Sequence, residues 1–216
     1  QYQSVFRGLL KVLSKFLAVI IGYLFGNFIS AMFVGKYYLH KDPTKYGSGN
    51  PGTANMGAVF GKKAGILTCI GDLLKTLLAI CLVYAIYHQH LLTAYTGLGV
   101  VLGHCFPVFN HFKGGKAVAV TAMVTVLYDW RAGLITLLIA LVLTAIMQNL
   151  TIPPLVFMLS FSIYQLTKSL EPGLVFLIMT AVMAFKFRYD IRDFFTGHGK
   201  RVDILYTIKK KLGILK

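Results

Sequence analysis

Of 216 residues, 56% are hydrophobic and only 13% charged, and apolar runs recur from end to end, more apolar surface than one water-soluble core of this size can bury. A soluble globular domain is thereby excluded, and the chain reads as an all-α integral membrane protein. Its 22 Lys and Arg against 7 Asp and Glu give a formal charge of +15, which basic loops facing anionic lipid headgroups account for, so no nucleic-acid partner is inferred.

In chain order, residues 1–15 come first: Val5, Phe6, Leu9, Leu10, Val12 and Leu13 are apolar, while Arg7, Lys11 and Lys15 repeat every four residues on one stripe. That pattern predicts an amphipathic helix lying in the membrane interface. No cleavable signal is expected there, since the apolar run that follows lacks a small-residue cleavage site. Seven apolar segments then predict about seven transmembrane helices: Phe16 to Val34, Ala64 to Tyr87, Leu91 to Phe109, Ala117 to Tyr128, Ala132 to Met147, Ile152 to Gln165 and Gly173 to Phe185. The first three reach spanning length, about 20 residues; the rest need flanking residues, bilayer thinning or protein packing to cross. The expected organisation is an interfacial helix (1–15), a polytopic domain (16–187) and a basic tail (188–216).

With seven spans, sixteen basic residues fall on one side of the membrane and five on the other, with Lys75 left inside a span. The positive-inside rule makes the rich side cytoplasmic. Within the spans, Asp72 and Lys75 stand three apart on one helical face and are expected to pair, because an unpaired charge at membrane depth costs about 2.5–3.5 kcal/mol. Asn27 and Ser30 read as interhelical hydrogen-bonders. Cys69, Cys81 and Cys105 have neither disulfide nor zinc-motif spacing, so no metal is expected.

Two glycine-rich polar stretches interrupt the apolar pattern, Gly47-Ser48-Gly49-Asn50-Pro51-Gly52-Thr53-Ala54-Asn55 and Gly103-His104-Cys105 through Gly114-Gly115-Lys116. Small residues let backbone N–H groups approach a ligand closely, and Lys113 and Lys116 add positive charge, so both read as parts of a site for a phosphate-bearing molecule. Gly49, Gly52, Gly114 and Gly115 also have a plainer reading as loop punctuation.

Ser48-Gly49-Asn50-Pro51-Gly52 with Asn55, then Gly103-His104, Pro107, Phe109 and Phe112-Lys113-Gly114-Gly115-Lys116, resemble the first and second motifs of the bacterial acyl-phosphate-dependent glycerol-3-phosphate acyltransferases, the PlsY type. Asp72 and Lys75 fall where that family carries Asp-x-x-Lys. The resemblance implies a seven-helix fold in the bacterial inner membrane. It also implies transfer of a fatty acyl group from acyl phosphate to glycerol 3-phosphate, giving lysophosphatidic acid with no metal, cofactor or acyl-CoA. Three positions depart from the pattern. Ala58 stands in place of an arginine after the first motif, and Phe187 and Asp190 in place of the His and Asn of the third, Phe187-Arg188-Tyr189-Asp190-Ile191-Arg192.

Phosphate is a good leaving group, so such an enzyme mainly has to hold the acceptor hydroxyl against the carbonyl and stabilise negative charge; no strong protein base is obligatory. Lys116 and the glycine amides are then the expected phosphate cradle, with Ser48 as a hydrogen-bonding partner. Lys113 either joins them or snorkels to headgroups, and His104 serves either acid–base chemistry or structure. Gly49, Asn50, Gly52, Asn55, Lys62, Gly114, Gly115, Arg188 and Asp190 are the other substrate-binding candidates. Either Lys62, Lys63, Arg188 or Arg192 is expected to offset Asp190, or the acceptor is not glycerol 3-phosphate. Alternative readings are a divergent paralogue with another acceptor, and a non-catalytic lipid-binding or transport protein.

Overall fold

The computed structural model describes residues 2–199 and, among them, nine α-helices and no strand. Two are short, α2 (Ser30–Val34) and α3 (Thr53–Phe60); the other seven are α1 (Tyr2–Gly26), α4 (Lys62–Tyr87), α5 (Leu91–Cys105), α6 (Val118–Tyr128), α7 (Trp130–Met147), α8 (Ile152–Lys168) and α9 (Leu170–Phe195). These seven correspond one to one with the predicted spans. Among the described residues five stretches are long and apolar enough by themselves to cross a bilayer; α6 and α8 are shorter.

Helix α5 is the hub, packed on α1, α4, α6 and α9. Its span is the most buried of the five long apolar ones, at 67%, whereas α7 is the least buried of them, at 28%, and faces lipid over most of its length. Glycine lets α5 approach α1 so closely. Gly22 and Gly26 on α1 and Gly99 and Gly103 on α5 are each four apart, and a Cβ on any of them would strike the other helix's backbone. Toward α8 and α9 the core is aromatic and sulfur-rich: Phe157 and Phe161 meet Phe176, Met179 and Met183, with the Phe161 and Phe176 rings edge to face at 4.8 Å.

Three boundaries differ from the sequence reading. Helix α1 runs unbroken through residue 15, so no helix end separates an N-terminal segment from the first span. Lys15 pairs with Glu171 in the first turn of α9, and Glu171 also accepts from Tyr95 Oη at 2.7 Å. The exposed turns before Ser14 therefore run past the end of the packed bundle. At the other limit, α9 continues to Phe195, so residues 188–195 are helix rather than tail; residues 200–216 of the expected tail lie outside the described residues.

The third difference lies within the first span, which breaks after Gly26 and restarts at Ser30. Asn27 turns its amide on the break, donating to Tyr23 O at 2.7 Å and accepting from Val108 N–H at 2.7 Å. The carbonyls freed by the break find a donor in Lys75, whose ammonium reaches Phe28 O at 2.6 Å and Gly26 O at 3.4 Å. Broken helices are tolerated at membrane depth only where protein groups satisfy the backbone in this way.

Candidate functional site

The Asp72–Lys75 pair forms as expected, at 3.0 Å, and both side chains are almost fully buried. Ser30 Oγ donates to Asp72 Oδ1 at 2.8 Å, and Lys75 Nζ donates to His104 Nδ1 at 2.9 Å. An ammonium has only donors, so Nδ1 is the acceptor and the ring proton sits on Nε2. His104 is 3% exposed. Its Nε2 packs on Gly115, where any Cβ would collide with it, and its carbonyl accepts from Gly115 N–H at 3.0 Å. Of the two readings of His104, the geometry matches the structural one: it joins the charged cluster to the second glycine loop.

That loop leaves α5 at Cys105 and enters α6 at Val118. Both of its ends are fastened. Lys186 Nζ on α9 donates to Cys105 O at 3.0 Å and Gly114 O at 3.1 Å, with the Phe106 ring 5.2 Å beneath it. Tyr23 Oη donates to Phe106 O at 2.8 Å from α1. Between these points His111 and Phe112, and after them Ala117, hold positive φ, a backbone conformation that non-glycine residues adopt only when their surroundings impose it.

Lys116 stands at the downstream end, beside the start of α6, whose first N–H groups have no acceptor within the helix. It is not open: its Nζ lies 2.6 Å from Asp190 Oδ2 and 4.7 Å above the ring of buried Phe187. The counter-charge for Asp190 is therefore Lys116, and not Lys62, Lys63, Arg188 or Arg192. Arg188 lies back on its own helix, donating to Phe185 O at 2.8 Å between the Phe185 and Tyr189 rings. Lys62 is exposed in the first turn of α4, and Lys63 sits over Tyr38.

The first glycine loop folds around Asn55, which is 6% exposed. Its Oδ1 accepts from Ser48 N–H at 2.9 Å and Ser48 Oγ at 3.1 Å, and its Nδ2 donates to Tyr46 O and Pro43 O. The Asn55 side chain is thus taken up in holding the loop together. Ser48 is exposed, with Asn50 N–H 3.4 Å from its hydroxyl. Gly52 precedes α3, so that helix's N–H groups also open beside the loop. Asp42 fastens the turn before it: hydrogen bonds from the Thr44 hydroxyl and N–H hold its carboxyl below the ordinary value, helped by the charges of Lys45 and Lys113.

The glycine amides are less available than the sequence suggested. Gly49 N–H donates to Tyr46 O, Gly52 N–H to Asn50 O and Gly115 N–H to His104 O. The glycines shape the loops, and the remaining donors are the N–H groups at the starts of α3 and α6, together with Lys116 and Ser48, which Asp190 and Asn55 engage. Sequence reasoning missed Lys186 altogether, although a lysine between Phe185 and Phe187 in an apolar helix is the kind of signal that marks a buried partner. The groove beside the helix break was also missed: a cavity of about 540 Å³ between α1 and α4, lined by Leu24, Phe28, Leu74 and Leu78 with Lys75 at its polar end.

Comparison with known proteins bears on this arrangement. Residues 16–197 match the family model described as glycerol-3-phosphate acyltransferase. The chain is 67% identical over 202 residues to glycerol-3-phosphate acyltransferase 1 of Lactobacillus acidophilus, covering 94% of this chain and 98% of that protein. It is 66% identical to the protein of the same name from Lactobacillus johnsonii, covering 94% and 100%. The crystal structure of PlsY, an integral membrane glycerol 3-phosphate acyltransferase, in its glycerol 3-phosphate form superposes with a TM-score of 0.81 at 27% identity, covering 90% of this chain and 98% of that one. Its lysophosphatidic acid form gives 0.77.

Proposed function

The chain belongs to the glycerol-3-phosphate acyltransferase family, and from that premise we propose that it transfers a fatty acyl group from acyl phosphate to glycerol 3-phosphate, giving lysophosphatidic acid for phospholipid synthesis. It is a membrane acyltransferase. One observation carries the site assignment: Lys116 and the start of α6 converge at the end of a glycine loop held closed by α9, on the side of the molecule where Ser48 and the start of α3 also open. Two phosphate-bearing substrates call for two such clusters of donors. The mixed anhydride is already activated, so a new ester bond forms as the acyl–phosphate bond breaks, and the site's task is alignment and neutralisation of phosphate charge. The acyl chain has an apolar bed in the groove between α1 and α4.

The ion pair supports glycerol 3-phosphate as the acceptor, because Lys116 already offsets the Asp190 carboxylate that would otherwise repel a phosphate. We place both glycine loops on the cytoplasmic face of the bacterial cell membrane, supported by the excess of basic residues on their side. The exposed first turns of α1 then lie along the opposite interface.

The test is a product assay on the purified protein, following lysophosphatidic acid from glycerol 3-phosphate with acyl phosphate or acyl-CoA as donor. Product with acyl phosphate alone is the expected result. Product with acyl-CoA alone overturns the donor assignment, and no product with either overturns the reading for this chain.

A further inference from the structure

The molecule contains two Lys–Asp pairs of opposite character. Lys75 is locked: its ammonium reaches Asp72, His104 and the carbonyls of Phe28 and Gly26, and the pair is 4% and 3% exposed. Among the described residues Lys116 meets a single oxygen, Asp190 Oδ2 at 2.6 Å, with 22% of the lysine side chain and 38% of the aspartate exposed. Phe187 closes one side of this ammonium, and its other N–H groups have no oxygen partner among the described residues, beside the start of α6. A pair this exposed is held weakly, because water and salt screen it.

We propose that Asp190 is an intramolecular counter-ion that occupies Lys116 until a substrate phosphate takes its place, and that it thereby sets the affinity and charge selectivity of phosphate binding at this loop. The carboxylate carries one negative charge and a phosphate monoester up to two, with more oxygens to span the ammonium and the helix N–H groups. A dianion therefore wins the exchange where a monoanion such as acetate does not. Phe187 keeps Lys116 in place during the exchange, since a ring attracts an ammonium without competing for its donors. The inference rests on the proposed role of Lys116 in holding phosphate.

The experiment compares the wild type with Asp190→Asn, which keeps shape and removes charge. Michaelis constants are measured for both substrates, with inhibition by inorganic phosphate and by acetate. Asp190→Asn should lower one substrate KM and the inhibition constant of inorganic phosphate about three- to tenfold, change kcat less than this, and make acetate an inhibitor. A KM and phosphate constant that stay the same or rise overturn the proposal. Protection against thermal unfolding by inorganic phosphate tests the exchange without turnover: half-protection should need less phosphate in Asp190→Asn, and Lys116→Gln should abolish it. If the wild type makes no lysophosphatidic acid while these shifts in protection appear, the acyltransfer reading fails and the counter-ion survives. If Asp190→Asn does not fold, an unchanged or greater phosphate requirement in Asp190→Ala overturns the proposal.

Discussion

Lys75, Lys116 and Lys186 are alike in sequence and are separated by what they touch: a helix break, a carboxylate at the surface, and the two ends of a loop. Losing a hydrogen bond made by a charged group costs about 1.5–3 kcal/mol, or roughly one to two decades in rate when the loss is felt at the transition state. Lys186→Ala, which frees Cys105 O and Gly114 O, should therefore lower kcat/KM by about 10- to 100-fold, while Lys186→Arg recovers most of the activity; steady-state kinetics on folded protein decide it. Lys116→Ala should remove turnover and Ser48→Ala should cut it severely, whereas Lys168→Ala, at the far end of α8, should leave the rate near wild type. Most of the polar residues of this site were legible in the sequence because loops rich in glycine, serine and lysine are costly to place in a membrane protein without a use. Their pairing was not. Residues 116 and 190 are brought together by packing of α9 on α5, which no local pattern records, and so the partner of Asp190 was sought among other cations.

Helices are the best-read level of this chain, because a span is defined by hydrophobicity over a window and each of the seven apolar runs folded as helix, the first of them in two pieces. The break at Gly26 escaped because local sequence offers only a glycine and an asparagine, and what stabilises the break is a lysine 49 residues away. The glycine stripe of α1 and α5 was equally invisible until both faces were placed together. Gly22→Leu would drive a side chain into the α5 backbone. Overpacking of this kind typically costs 1–3 kcal/mol, and the variant should melt well below wild type in detergent. Gly8→Ala provides the contrast: nothing lies within 4 Å of a Cβ there, and replacing glycine in a helix gains up to about 1 kcal/mol, so its melting temperature should match or exceed wild type.

At the scale of the whole molecule, contacts tie the end of α9 to the second glycine loop, and the excess of basic residues on that side supports the proposed cytoplasmic orientation. Lys116–Asp190 and Lys186–Gly114 bind the last part of α9 to the second glycine loop, and Asp42 feels Lys113 across to the first. Single cysteines at Thr44 and Asn110, in a background without Cys69, Cys81 and Cys105, should therefore resist an impermeant thiol reagent in intact cells and react after lysis. One at Lys168 should react from outside. Labelling of Asn110 in intact cells would invert the orientation.

The donor for the break in the first span arrives late in synthesis. When α1 and α2 emerge, Gly26 and Phe28 carry carbonyls whose partner, Lys75, has not been made, and the glycine face of α1 waits for α5. The opening segment therefore enters the bilayer before its final shape is affordable. A nascent chain arrested before α4 should keep residues 16–34 as one continuous helix, and the bend should form as α4 comes in beside it. The end of α1 that frames the site is thus built in the membrane by folding and is not set at insertion.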